Sequence, residues 1–182
     1  MTSKRAERRA EELLITFGLL KSPVDVRQVA KKLGALVREE PFTGSERLSG
    51  ILYRDDNIKV IGVNTAELPQ RQRFTIAHEI GHLVLHQGDA VHVDTYHTFQ
   101  VNFRDPDYRP GTDRRETEAN AFAAALLMPE ALVKEEFDQT VRRGIDIVDG
   151  KWIEDIAIHF DVSIQALTIR LNQLGLLDSM AF

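Results

Sequence analysis

Two histidines four residues apart, His78 and His82, enclose Glu79 in an H-E-x-x-H pattern that constrains this chain more than any other stretch. The pattern lies in a run with helical periodicity, which predicts a helix over residues 69–86. On a helix, side chains four positions apart lie on one face, so both imidazoles can bind one metal ion. Glu79 lies beside them, where its carboxylate can take a proton from water that a zinc ion has acidified.

The residues around the pattern distinguish a metal site from a solvated helix face. Ile76, Ile80 and Val84 form an apolar stripe at helical spacing, so most of the helix is predicted to be buried. Buried imidazoles and a buried carboxylate need partners, and one metal ion satisfies all three. The alternative, an exposed helix with two solvated histidines, leaves the stripe unexplained. We therefore predict one Zn²⁺ per chain, although Mn²⁺ and Fe²⁺ also suit such ligands.

A catalytic zinc site has three protein ligands and one open position, so a third ligand is needed. The long metzincin motif would place a histidine six residues after His82, but that residue is Gly88. The alternative is an acid on a second buried helix, which is predicted over residues 113–128. Glu116 and Glu118 compete there. Because they are two positions apart, they point in roughly opposite directions, and only one is expected to reach the metal.

Asn120 distinguishes the two acids. It follows Glu116 by four residues, on the same helix face, within a run of alanine, leucine and phenylalanine. Its amide oxygen can accept a hydrogen bond from the outer N–H of a ligand histidine and fix the tautomer. We therefore predict that Glu116 is the third ligand and that Asn120 orients a histidine. Glu118 is the alternative ligand; it can also be a solvated first-turn acid that the helix dipole favours.

His86 extends the line of His78 and His82 by one more turn of the helix. A third histidine of a continuous helix lies too far along the axis to share the ion comfortably. We therefore favour a polar residue at the helix end. A role beside the metal ligands or in stabilising the transition state is the alternative.

Residues 87–112, between the two helices, have no clear periodicity and are predicted to be an irregular segment. Loops of this length are uncommon unless they are functional or disordered, so a lid, a substrate-binding strap and a disordered insertion are the alternatives. The segment contains His92 and His97. It also contains Tyr96 and Tyr108, which are candidates for oxyanion stabilisation.

Composition excludes several classes of protein. The 182 residues suffice for one domain with a core, and the net charge of −5 gives no general attraction to nucleic acid. There is no cysteine, so neither disulfides nor thiolate chemistry is available. No apolar run approaches the roughly 20 residues that span a bilayer, and the charged start lacks the apolar core of a signal peptide. We expect a cytoplasmic protein without membrane contact.

The order of the predicted elements indicates an α+β fold. Two helices and three strand-like runs precede the H-E-x-x-H helix; the helices cover residues 4–17 and 22–33, and the strands cover residues 35–40, 48–54 and 58–64. We predict a small three-stranded sheet beside the active-site helix, with an edge strand that can pair with an extended peptide. Residues 1–140 are predicted to form the metal-binding domain. Residues 141–182 are predicted to form a helical C-terminal part packed on it.

The C-terminal part resembles a helix-turn-helix, because residues 152–177 predict a helix, a tight turn and a second helix that Ser163 caps. A helix that reads DNA brings cations to phosphates. The second helix has only one cation, Arg170. We therefore favour packing against the core or docking of a partner over DNA binding.

Three stretches resemble the ImmA/IrrE family of metallopeptidases: residues 71–86 around the H-E-x-x-H pattern, residues 116–129, and residues 160–175. Their order and spacing are also those of the family. The resemblance implies a compact zincin-like fold with a gluzincin-type site. In that site His78, His82 and Glu116 match the metal ligands, and Glu79 matches the general base.

The resemblance also implies a role. Members of the family are bacterial or phage proteins that cleave helix-turn-helix transcriptional repressors and thereby induce stress, DNA-damage or mobile-element genes. Others occur in toxin–antitoxin-like pairs. We therefore expect a zinc endopeptidase of narrow specificity whose substrate is a repressor. The alternative hypothesis is a regulatory module that binds DNA or a repressor through its C-terminal helices without cutting it.

Overall fold

The computed structural model describes residues 3–44, 48–86, 90–95, 114–144 and 150–177, which form seven helices and four strands. In chain order these are α1 (Ser3–Phe17), α2 (Val26–Lys32), β1 (Ala35–Glu40), β2 (Leu48–Arg54), β3 (Lys59–Asn64), α3 (Pro69–Leu85), β4 (Val91–Thr95), α4 (Arg114–Leu127), α5 (Glu130–Arg142), α6 (Lys151–Phe160) and α7 (Ile164–Gln173). Among the described helices, none is both long enough and apolar enough to cross a bilayer.

The strands form one mixed sheet in the order β1–β3–β2–β4. β1 is parallel to β3, whereas β2 is antiparallel to both β3 and β4. Side chains alternate between the two faces of a strand, and the buried face, which includes Leu52 and Ile61, belongs to the same core as α3. The sheet therefore lies directly beside the helix that carries the H-E-x-x-H pattern.

The prediction of a three-stranded sheet is wrong, because β4 comes from the segment that we predicted to be irregular. Val91 and Val93 do alternate with His92 and Asp94, but an alternation over so few residues cannot be distinguished from a loop. What defines β4 is its antiparallel pairing with β2, in which Val93 lies opposite Ile51. The sequence of β4 alone does not contain that information.

The helices α3 and α4 approach each other closely at Gly81. A Cβ atom on this residue would lie 3.1 Å from both the Cα and the carbonyl oxygen of Ala119, and 3.3 Å from Cδ1 of Phe122. The absence of a side chain therefore lets two buried helices come into backbone contact. This contact brings His78 and His82 of α3 opposite the first turns of α4.

We expect Gly81→Ala to destabilise the fold, although alanine gains about 1 kcal/mol of helix propensity over glycine. The added methyl group meets the backbone of a buried helix, which cannot give way cheaply, and overpacking of this kind costs about 1–3 kcal/mol. Urea denaturation should show a net loss of about 1 kcal/mol. Gly62→Ala is the control, because its Cβ would have no neighbour nearer than 3.5 Å. An increase in stability for Gly81→Ala would contradict this packing.

The C-terminal helices pack on the rest of the chain. Trp152, Phe160 and Leu171 belong to the same buried apolar cluster as residues of α1 and α3. Arg170 is 1% exposed, donates from Nε to the carbonyl oxygen of Met128 at 3.1 Å, and donates from Nη1 to Oε2 of Glu7 at 2.6 Å. Arg170 therefore joins α7 to α1 and to the end of α4. The hydroxyl of Ser163 caps α7, as predicted.

Candidate metal centre

Helix α3 carries the H-E-x-x-H residues through the interior. Pro69 stands at its start, where proline fits a helix, and every residue from 74 to 82 is buried. The exposed fractions of His78, Glu79 and His82 are 2%, 0% and 3%. Three ionisable groups are thus withdrawn from water on one helix, an arrangement that costs free energy unless the groups satisfy one another or bind a cation.

Glu116, in the first turn of α4, faces both histidines. Its Oε2 lies 3.3 Å from Nε2 of His78, and its Oε1 lies 3.4 Å from Nε2 of His82. The two Nε2 atoms are 3.0 Å apart. Donor atoms that bind zinc tetrahedrally at about 2.0–2.2 Å lie roughly 3.3–3.6 Å from one another. The two separations that involve Glu116 fall in that range, and the Nε2–Nε2 separation of 3.0 Å is slightly shorter, so the three groups are close to the spacing of the ligands of one small cation.

Asn120 contacts the back of His78. Its Oδ1 lies 2.9 Å from Nδ1 of the imidazole, which donates to it, so the lone pair of a neutral His78 is on Nε2. That lone pair points toward the carboxylate of Glu116, which itself only accepts hydrogen bonds. At most one proton, on Nε2 of His82, is available to these three groups. A metal cation fits this convergence of acceptors.

The protonation states also suit a cation. Burial is the main cause that lowers the pKa of His82 from 6.5 to about 3, so this imidazole is neutral at physiological pH. Burial alone would raise the pKa of Glu116, but the adjacent imidazoles of His78 and His82 outweigh this effect and hold the pKa below its usual value. The site thus combines the neutral imidazole of His82 with the ionised carboxylate of Glu116.

His92, on β4, completes a group of four donors, of which the sequence predicted three: His78, His82 and Glu116. Its Nε2 lies 3.5 Å from Oε1 of Glu116, and its ring stacks on that of His82 with centroids 3.7 Å apart. In the described part of the chain, one donor atom from each of His78, His82, His92 and Glu116 lies within 4.8 Å of the others. Only the pairing of β4 with β2 brings His92 to this point, so no local pattern could have identified it.

Glu79 lies outside this group of donors, although it is completely buried. It packs toward β2 at Gly50, where a Cβ atom would lie 3.0 Å from Oε1 of Glu79 and 2.4 Å from Cγ2 of Thr75. The glycine therefore leaves the room that the carboxylate occupies. This arrangement keeps Glu79 beside the four candidate metal donors without making it one of them.

His86 and Glu118 form a separate pair next to the metal centre. Nε2 of His86 donates to the carbonyl oxygen of Arg115 at 3.0 Å, and its Nδ1 lies 3.9 Å from Oε2 of Glu118. Neither residue belongs to the group of donors. The expectation of a solvated Glu118 is wrong: it is 5% exposed and accepts from Nε of Arg114 at 3.0 Å. The end of α3 covers it. Tyr96, His97 and Tyr108 lie outside the described residues.

Acidification is expected to destabilise the metal-free chain. The folded-state pKa of His82 is about 3 against 6.5 when it is free, so below pH 6.5 only the unfolded chain takes up the proton. Each pH unit of acidification then lowers the free energy of unfolding by up to about 1.4 kcal/mol. The total loss between pH 6.5 and pH 5 is about 2 kcal/mol. Glu116 also has a lowered pKa in the folded chain, so it adds to the loss of stability once the pH falls below the usual pKa of a glutamate. Urea denaturation at pH 7, 6 and 5 measures the slope, which His82→Gln should reduce; an equal slope would contradict the cause.

Comparison with known proteins identifies a family model and several relatives. The model of the peptidase M78 family, described as the IrrE N-terminal-like domain, matches residues 30–172. The chain is 36% identical over 85 residues to the radiation response metalloprotease IrrE of Deinococcus radiodurans, a match that covers 47% of this chain and 24% of that protein. It is 27% identical over 127 residues to the metallopeptidase ImmA of Bacillus subtilis, covering 70% of this chain and 64% of that protein.

One further relative and one solved structure also match this chain. The IrrE of Deinococcus deserti is 34% identical over 109 residues, which cover 60% of this chain and 34% of that protein. The chain thus matches about a quarter to a third of the length of the two Deinococcus relatives. A solved structure, a transcriptional regulator of Mycobacterium tuberculosis, superposes with a TM-score of 0.58 at 20% identity, covering 92% of this chain and 46% of that one. At this identity the likeness concerns the fold alone.

Proposed function

This chain belongs to the IrrE N-terminal-like family of M78 peptidases, and on that premise we propose that it is a zinc-dependent endopeptidase. His78, His82 and Glu116 hold the zinc, and Glu79 is the general base. One observation carries the proposal: these three donors come from two buried helices and are separated by 3.0–3.4 Å. The sheet beside α3 supports a zincin-like fold for residues 1–140, and the adjoining helices α6 and α7 support a helix-turn-helix-like part over residues 141–182.

The residues around the metal centre divide the catalytic work. A zinc ion bound there supplies Lewis acidity to a water molecule and to the scissile carbonyl group. Glu79 accepts a proton from the attacking water on its carboxylate and later delivers it to the leaving amine. Asn120 holds the ring of His78 so that Nε2 keeps its lone pair for the metal. The buried walls exclude bulk water, which strengthens each of these electrostatic interactions.

We further propose that the substrate is a helix-turn-helix repressor and that cleavage occurs in the cytoplasm. The candidate ligands on α3 and α4 are at most 9% exposed, so a compact folded surface cannot reach them. An extended segment can, and the linkers of small repressors offer such segments. An extended peptide can also be held by main-chain hydrogen bonds at a sheet edge. These features support a narrow regulatory protease over a digestive one.

Incubation of the zinc-loaded chain with helix-turn-helix repressors from the same genome, starting with any that a neighbouring gene encodes, tests this proposal. We expect cleavage at one or a few bonds, which mass spectrometry locates, because only an extended segment reaches the site. Removal of the metal with a chelator should stop the reaction, and added zinc should restore it. Absence of cleavage at full zinc occupancy would contradict the substrate. Equal digestion of unrelated denatured proteins would contradict the narrow specificity.

Glu116→Ala is expected to reduce zinc binding much more than Glu118→Ala. Loss of a residue that merely supports a ligand typically weakens binding by about 10- to 100-fold, so loss of a ligand should cost at least as much. Glu118 is the matched control, since it is a buried acid two positions away that contacts Arg114 and His86. Zinc content after dialysis against a competing chelator measures the effect. The opposite order would assign the ligand to Glu118.

The alternative, a non-cleaving module that binds DNA, receives less support. Arg170 is the one cation of α7, and it is buried in contacts with Glu7 and Met128. It is not available to a phosphate group, so α7 presents no cation to a duplex. Electrophoretic mobility of random duplex DNA at low salt tests this point. We expect no shift, whereas a salt-sensitive shift would revive the alternative.

A further inference from the structure

The strand β4 carries a histidine to the metal centre from outside the two helices. Val91 and Val93 are 53% and 46% exposed, whereas the side chain of His92 between them is 23% exposed and lies against the metal ligands. The register supports this orientation, because His92 lies opposite the buried Leu52 and Val93 lies opposite Ile51. The alternation of the strand thus directs one imidazole inward.

We propose that His92 is a fourth, exchangeable metal ligand that closes the site in the resting chain and must leave before substrate can react. The inference rests on the proposed function. Tetrahedral zinc with four protein ligands is closed, whereas catalytic zinc keeps one position open. Nε2 of His92 lies 3.5 Å from Oε1 of Glu116, within the spacing expected between two ligands of one tetrahedral ion. With four protein ligands bound, no position remains for water or for a peptide carbonyl.

His92 is also the ligand that costs least to move. His78 and His82 belong to a buried helix, and His78 is further held by Asn120. β4, in contrast, is an outer strand of five residues that pairs with β2 alone in the described sheet. The outward side chains, Val91 and Val93, are already about half exposed, so displacement of the strand uncovers little apolar surface from that face.

Displacement of β4 also creates a binding edge. β2 pairs with β3 on one side and with β4 on the other, so withdrawal of β4 leaves β2 with unpaired N–H and C=O groups. An extended peptide can pair with that edge by strand addition. A substrate that does so takes the place of β4 and removes His92 from the metal in the same step. The site therefore stays closed until a segment that competes for β2 is present.

Cobalt(II) in place of zinc tests the proposal without any need for proteolysis, because its visible bands report the ligand set. His92→Gln and His92→Ala are compared with the wild type and with Val93→Ala, a control on the opposite face of β4. We expect both His92 variants to alter the cobalt spectrum and weaken zinc binding. We also expect acetohydroxamate to bind the metal of both His92 variants about tenfold more tightly than that of the wild type. If the closed state outnumbers the open state by about ten to one, it weakens the binding of a competing ligand by about that factor. Val93→Ala should leave all three properties unchanged.

The outcomes separate this inference from the proposed function. Unchanged spectra and unchanged hydroxamate affinity in both His92 variants would overturn it. So would loss of cleavage with an unchanged spectrum, because His92 would then act on the substrate and not as a ligand. If the spectrum changes but no variant cleaves any repressor, the result supports His92 as a metal ligand and contradicts the proposed substrate. Urea denaturation of the metal-free variants checks that the fold is intact, as expected for a residue on an outer strand.

Discussion

Glu79→Gln is expected to abolish cleavage while the chain keeps its metal. General bases contribute about 100- to 10 000-fold to the rate, and we expect kcat/KM to fall by that factor. The amide of glutamine is nearly the size of the carboxylate, so it fits the space beside Gly50 and Thr75 without a clash. It cannot take a proton from water. The site would thus retain its shape and its ligands but lose the group that moves the proton.

Parallel measurements of cleavage, zinc content and stability identify the cause of this loss. Glu79 is completely buried and glutamine is nearly the same size, so the free energy of unfolding of the metal-free chain should stay close to that of the wild type. Zinc content should match that of the wild type, since Glu79 is not one of the donors. Glu118→Gln serves as the control for the loss of a buried acid near the centre. Cleavage by Glu79→Gln at the rate of the wild type would refute the mechanism.

Most of the candidate metal centre could be predicted because its constraints are local to two helices. His78 and His82 are four residues apart, and so are Glu116 and Asn120. This spacing alone places both members of each pair on one face of a helix. Apolar residues at helical spacing then indicate that both faces are buried. The family resemblance was confirmed by a model that matches residues 30–172. The assignment of catalytic roles stays a prediction that the variants above test.

What could not be predicted depends on contacts between segments distant in the sequence. β4 is defined by its pairing with β2, and His92 reaches the metal centre only through that pairing. Glu118 is buried because the end of α3, including His86, lies over it. Arg54 of β2 in turn donates to the carbonyl oxygens of His82 and His86. None of these contacts produces a periodic pattern in the sequence of the strands or helices that make them.

The same distinction applies to the C-terminal helices, where the pattern predicted the two helices and the cap at Ser163 but not the position of Arg170. From the sequence alone, an arginine on the second helix can equally contact DNA or be buried in the core. The structure has it 1% exposed, with Glu7 of α1 and the carbonyl oxygen of Met128 as partners. Its role is therefore to hold α7 against elements that lie far away in the sequence.

Arg170→Met is expected to cause the largest loss of stability among these variants. Removal of one partner of a buried ion pair costs about 3–5 kcal/mol. The side chain of Glu7 is 26% exposed and can be partly hydrated, so we expect about 2–4 kcal/mol here. The carbonyl oxygen of Met128 also loses its donor. Urea denaturation measures the change, and Glu7→Gln is expected to cost less, because the amide oxygen of glutamine can still accept from Nη1 of Arg170, which also keeps its contact with Met128.

A double variant tests whether the cost comes from the unpaired charge. Arg170→Met with Glu7→Leu removes both charges and replaces them with apolar groups, which is often neutral relative to a buried ion pair. We expect it to recover most of the stability that Arg170→Met loses. Because Arg170 joins α7 to α1 and to the end of α4, both variants should unfold in one cooperative transition that releases the metal at the same denaturant concentration. If the C-terminal helices unfolded first while zinc stayed bound, Arg170 would stabilise only its own helices, and the metal centre would not depend on them.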